Sequence, residues 1–98
     1  MLDYLKQFNL KNEDISEIKK MFNKDIISKF EVMENNVVLI LNYLKEIGVI
    51  NFKDLILYRP DICFMNIQYL KGKIEKLDSK LVKFVIENDI DNLINFDI

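Results

Sequence analysis

The 98-residue chain has no histidine, tryptophan, alanine or threonine, and only one cysteine, one proline, one arginine and two glycines. Each absence closes a class of chemistry. Without histidine there is no Ser-His-Asp or Cys-His machinery, no imidazole metal ligand and no imidazole pH switch. A single cysteine can neither close a disulfide within the chain nor supply a multi-thiolate zinc site. Gly48 and Gly72 are too few and too far apart for a glycine-rich phosphate loop. Ser16, Ser28 and Ser79 have no histidine partner and no Ser-x-x-Lys pattern. The expectation is a non-catalytic protein with no cofactor and no metal. The longest strictly aliphatic run, Val37 to Leu41, falls far below the ~20 residues of a membrane span, so no membrane association is expected. Met1-Leu2-Asp3-Tyr4 carries an acid and no cationic stretch before an apolar run, so it does not read as a secretory signal. Cys63, within Ile62-Cys63-Phe64-Met65, is expected to be a buried, reduced thiol, which fits a reducing cytoplasm.

What is present is a dense apolar pattern. Half the residues are apolar, enough for one core, and the length predicts a single domain over residues 1–98. Isoleucine, asparagine and lysine dominate, a usage that tracks AT-rich codons, so the lysine excess is partly compositional.

Nearly every segment reads as helix, and no run sustains a period of two. After Asn66, apolar residues recur at Ile67, Leu70, Ile74, Leu77, Leu81 and Phe84 or Val85, one face of a helix of about five turns. Asp78-Ser79 is a possible break within it, because both residues favour caps. A second helix runs from Asn35 or Asn36 to Ile47, with Val37, Ile40, Leu41, Leu44 and Ile47 inward and Gly48 as its stop. Between them, Asn51 caps Phe52 to Tyr58, with Asp54 in a capping-box-like position. Pro60 ends that helix by restricting Arg59, and Pro60 to Met65 forms one tight helical turn. Upstream, Asn12 caps a helix with Ile15, Ile18, Met21 and Phe22 inward, followed by Asp25 to Phe30. Leu2 to Phe8 forms a further short helix.

The chain resembles itself at a shift of about 37 residues. Asp14-Ile15-Ser16-Glu17-Ile18 aligns with Asn51-Phe52-Lys53-Asp54-Leu55, and one residue further on with Asp89-Ile90-Asp91-Asn92-Leu93. At the same shift Met33 falls on Leu70, Val37 on Ile74, Ile40 on Leu77, Leu44 on Leu81 and Ile47 on Phe84. The architecture this predicts is an all-α short solenoid of about two and a half repeats, with units near 8–47 and 48–87 and a partial third at 88–98. The terminal pieces must act as caps. If they are too apolar, the chain pairs with itself, so monomer and homodimer both stay open.

The segments Leu44-Lys45-Glu46-Ile47-Gly48-Val49, Phe52-Lys53-Asp54-Leu55-Ile56 and Pro60-Asp61-Ile62-Cys63, followed by Leu70, Ile74 and Leu77, resemble one repeat of the mitochondrial transcription termination factor family. The shared features are the helix end at Gly48, the paired aliphatics Leu55 and Ile56, and Pro60 four residues later. The likeness covers residues 44–84 best. Residues 8–47 match less well, because Asn23 stands where the proline belongs. The resemblance implies a curved helical array that lays a basic groove along double-stranded nucleic acid. The chain departs from the family in its shorter length, its slight acidity and its single arginine.

The net charge of −2 conceals strong local imbalance. Five lysines between Lys71 and Lys83 face only Glu75 and Asp78, and Lys73, Lys76, Lys80 and Lys83 recur as one stripe. Such a stripe can track phosphates by point-charge contact, or it can be a solvated face whose stems cover the apolar seam. Arg59, beside Tyr58, can stack on a base or anchor a partner, or it can simply complement a helix terminus. Glu87, Asp89, Asp91 and Asp97 follow as an acidic tail that can cap the stripe, meet it in a neighbouring molecule, mimic phosphates or stay solvated. The leading expectation is a nucleic-acid-binding module acting through Lys73, Lys76, Lys80, Lys83 and Arg59. The rival is a small protein-interaction module, an adaptor or inhibitor from a bacterium or mobile element, motivated by the acidic tail and the net negative charge.

Overall fold

The computed structural model describes residues 2–98. Among them are six α-helices: α1 (Asn12–Met21), α2 (Lys24–Val32), α3 (Glu34–Glu46), α4 (Phe52–Tyr58), α5 (Ile67–Glu75) and α6 (Ser79–Asn88). Three 3-10 helices, Asp3–Phe8, Pro60–Phe64 and Ile90–Phe96, complete the chain, and the described residues form no strand. The all-α expectation therefore holds.

Short polar side chains set most of the helix starts. The Asn51 side-chain oxygen accepts the Asp54 backbone N–H at 3.2 Å, while its amide donates to the Asp54 carboxylate at 2.8 Å. Asn66 accepts the N–H groups of Gln68 and Tyr69 at 2.8 and 3.2 Å, and Asn23 accepts that of Ile26 at 3.0 Å. These bonds satisfy donors that a first helical turn otherwise leaves free. The expected cap at Asn12 is displaced by one residue. Lys11 is the capping position, and its backbone N–H donates to the Asp14 carboxylate at 2.9 Å. Asp14 and Asn51, paired in the sequence alignment, thus play different roles: one is a third-position acceptor, the other a cap.

The end of α3 follows the sequence closely. Gly48 takes φ +103°, its N–H bonds the Lys45 carbonyl at 3.0 Å, and Val49 N–H bonds the Leu44 carbonyl at 3.0 Å. This pair of bonds is the glycine-terminated motif that closes many helices.

The long helix expected after Asn66 is two helices. Asp78 stops being a helical residue and becomes a cap, accepting the Lys80 N–H at 2.9 Å. Burial then moves on by one residue: Leu70 and Ile74 are inward on α5, but Val82, Val85 and Ile86 are inward on α6. Leu81, expected in the core, is instead 43% exposed; of the alternatives Phe84 and Val85, Val85 is the buried one and Phe84 is 61% exposed. Met21 is likewise 59% exposed.

The helix α3 lies at the centre. It packs against α2, α5 and the Pro60–Phe64 turn, while α1 packs on α4, α6 on α5, and Ile90–Phe96 on both α4 and α6. The core is wholly apolar, including Val37, Ile40, Leu41 and Leu44 of α3 and Leu55 and Ile56 of α4. Phe30 meets Phe64 edge-on at 4.8 Å between ring centres, and Phe8 meets Phe52 at 5.4 Å. Asn36 fastens α3 to the proline turn by donating to the Cys63 and Met65 carbonyls at 3.1 and 2.9 Å. Lys53 of α4 bridges to Glu17 and Asp14 of α1 at 2.8 and 3.4 Å. The radius of gyration, 12.8 Å, matches the roughly 13 Å of a 100-residue globule.

Candidate nucleic-acid interface

Leu55 and Ile56 are fully buried, Gly48 closes α3, and Pro60 is the first residue of its 3-10 turn, where a missing N–H costs nothing.

Arg59 belongs with them. Its guanidinium makes two parallel bonds to the Asp61 carboxylate, both 3.0 Å, and a third to the Ile98 carbonyl at 2.7 Å. The side chain is only 17% exposed. The guanidinium holds the Asp61 carboxyl below the ordinary aspartate range, and that pairing raises Arg59 in turn. With three of its five N–H donors held by chain atoms, Arg59 is an intramolecular clamp on the final segment. Tyr69 and Lys73 hold the same segment: the Tyr69 hydroxyl donates to the Asp97 carbonyl at 3.2 Å, and the Lys73 ammonium stands 3.6 Å from the Asp97 carboxylate. Lys73 also lies over the Tyr69 ring, 5.4 Å from its centre.

The helix break divides the lysine stripe. Lys73 is on α5, Lys76 is at its C-terminal end, and Lys80 and Lys83 are on α6. Lys76 and Lys80 are exposed, and Lys83 is half-buried. Among the described residues, none of these three lies within 4.0 Å of an acidic oxygen, whereas Lys73 does. The Lys83 stem runs across the end of α3, with Cδ 3.1 Å from the point where a Cβ on Gly48 would stand. Its ammonium thereby sits by a helix C-terminus, where positive charge is favoured.

On the outer surface of α6, Lys80, Lys83, Phe84 and Glu87 line one shallow depression. The apolar period leaves Phe84 and Val85 as alternatives for one inward position; α6 buries Val85 and leaves Phe84 outward. Glu87 also lines the depression, with its Oε1 enclosed and without a hydrogen-bond partner.

A second depression lies between α3 and α5, lined by Leu39, Asn42, Tyr43, Glu46, Ile67 and Lys71 among others. Lys71 stands over the Tyr43 ring at 5.3 Å. Partial burial, helped by Glu75 and Glu46, pushes the Tyr43 hydroxyl upward. Lys45, Lys71 and Glu46 give its rim the same mixture of charge as the α6 depression, but Lys71 already stands over its Tyr43 ring.

The Cys63 thiol is fully buried and pushed up to about 12, chiefly by burial and secondarily by Asp61. A thiol so held is no nucleophile at neutral pH. No helix among the described residues is long and apolar enough to cross a membrane. No protein-family model, curated protein or solved structure matches the chain.

Proposed function

We propose that the chain is a non-catalytic nucleic-acid-binding module whose contact surface is the corner between α5 and α6. The observation that carries this reading is the run Lys76, Lys80 and Lys83 around the α5–α6 junction, none of which has an acidic oxygen within 4.0 Å among the described residues. Ammonium groups without acidic partners release counterions when they meet phosphates, which favours polyanion binding without sequence preference. Arg59 and Lys73 fall out of this interface because the last segment occupies them.

The family resemblance over residues 44–84 is part of the same reading, as is a repeat of about 37 residues. What supports the repeat is the order of pieces: α1, then α2 opening at Asn23, then α3; and α4, then a turn opening at Pro60, then α5. Asn23 and Pro60, 37 positions apart, stand at the start of the second piece, Asn23 as its cap and Pro60 as its first residue. A reducing cytoplasm suits the buried, unpaired Cys63.

The test is a fluorescence anisotropy titration of labelled DNA and RNA at about 50 and 200 mM salt. Binding should weaken steeply as salt rises. Replacing Lys76, Lys80 and Lys83 with Gln should lower the salt slope by roughly one for each lysine that meets a phosphate. An absence of binding at the lower salt rejects the reading.

A second reading has its own support. Val32 is 81% exposed, and Ile50 and Ile94 are each 70% exposed, all on the surface of a chain this small. A protein-interaction module, self-associating or not, would use such side chains. A module that stays unbound by nucleic acid and runs as a concentration-dependent dimer in light scattering would establish it instead.

A further inference from the structure

We infer that the α6 surface takes single-stranded nucleic acid, with Phe84 as a stacking platform for one base and Lys80 and Lys83 meeting the flanking phosphates. The inference rests on the reading of the α5–α6 corner as a polyanion surface and adds the ligand class.

Three observations carry it. Phe84 is 61% exposed on a helix whose three buried residues, Val82, Val85 and Ile86, already supply its packing face. Among the described residues no aromatic ring packs on Phe84 and no cation stands over it, whereas Tyr69 has Lys73 and Tyr43 has Lys71. The ring also lines one depression with Lys80 and Lys83, so an open π-face borders two lysine side chains.

An aromatic between cations suits a strand whose bases are free to splay. Every base has a π-face, so stacking tolerates any sequence, and the lysines follow the backbone. A duplex keeps its bases stacked on one another and offers Phe84 nothing. Glu87 borders the same depression, and its negative charge keeps phosphate toward the lysine side. Lys76, across the corner from α6, extends the cationic track by one position.

The experiment uses the full chain, fluorescein-labelled dT12 and U12 oligonucleotides and a 12-base-pair duplex, titrated at about 50 mM salt. The variants are Phe84→Leu, which keeps an apolar side chain but removes the π-face, and Lys80→Gln with Lys83→Gln. Thermal melts check that each variant folds. The expected results are tighter binding of the single strands than of the duplex, a weakening of about tenfold or more for Phe84→Leu on single strands, and no weakening on duplex. Equal binding of both forms with Phe84→Leu unchanged overturns the inference and leaves the polyanion reading standing. Binding to neither form overturns both. If Phe84→Leu changes only the sedimentation of the protein, the platform is a contact between copies of the chain, and the inference falls.

Discussion

Lys83 lies across Gly48: the lysine Cδ is 3.1 Å from the position a Cβ on residue 48 would take. The contact joins two features that the sequence presents separately, the stop of one helix and a cation on another. It covers the turn that closes α3 with an aliphatic stem and brings an ammonium to the end of that helix. Gly48→Ala is therefore expected to destabilise the chain by about 1–2 kcal/mol, because a side chain at φ +103° crowds its own backbone. For a domain this size, that lowers the midpoint of thermal unfolding by roughly 4–8 °C per kcal/mol. Lys83 can move aside, so most of the loss should persist in a Lys83→Ala background. A full rescue by Lys83→Ala would locate the cost in the lysine stem rather than the backbone.

Asn36 joins α3 to the proline turn through two side-chain bonds to carbonyls. Asn36→Ala leaves the Cys63 and Met65 carbonyls without that donor, and the expected loss is about 1–3 kcal/mol. Asn36→Asp should be at least as harmful, because a carboxylate cannot donate. Urea unfolding with an unchanged m-value would show the effect; a wild-type midpoint for both variants would contradict it.

Acid should unfold the protein through its paired carboxylates. The Arg59 guanidinium holds Asp61 low, and the Lys11 backbone N–H, with Lys53, holds Asp14 low. A folded pKa below the unfolded value adds stability that is present above the unfolded pKa, near 4, and is lost as pH falls further. Stability measured between pH 6 and 2 should therefore drop mainly below about pH 4. Asp61→Asn should flatten that limb while lowering stability at neutral pH. A limb of unchanged steepness would place the linked protons elsewhere.

The alkaline side runs the other way. Burial raises the Cys63 thiol to about 12 and raises the Tyr4 hydroxyl, which donates to the Phe30 carbonyl at 2.6 Å. A raised acid adds stability that is complete below its unfolded pKa and is lost as pH rises, so for Cys63 the loss begins near pH 8.5. The same burial predicts that Cys63 reacts with a thiol reagent only through unfolding. Labelling should be slow in buffer and should accelerate with urea in step with the unfolding equilibrium. Rapid labelling of the native protein would show that the proline turn opens locally.

Much of the local structure was legible in the residues themselves. Asn51, Asn66 and Gly48 announce helix ends because short polar side chains and a left-handed glycine satisfy backbone groups within a few positions. The inward positions of α3 follow from a clean three-and-four spacing. The same spacing misled beyond Ile74. It continues through Leu77, Leu81 and Phe84 without a gap, so periodicity alone draws one long helix and one unbroken lysine stripe. Asp78 was visible as a possible break, but whether it caps or continues depends on packing. Here α6 turns back to cover Gly48 and to seat Val82, Val85 and Ile86.

Arg59 shows the same division in the candidate site. Its neighbours in sequence, Tyr58 and Pro60, place it at an exposed helix end and suggest a free cation. Its distant neighbour, Ile98, is 39 positions away, and no local rule reveals that bond. By itself the sequence determined the all-α class, the helix ends at Asn51, Asn66 and Gly48, and the exclusion of histidine and multi-cysteine chemistry, because these depend on residue identity and spacing within a turn or two. Only the tertiary structure decided which lysines are spent inside the molecule and which aromatic faces outward. Those outcomes depend on how α6 and the last segment dock against residues far away in the chain.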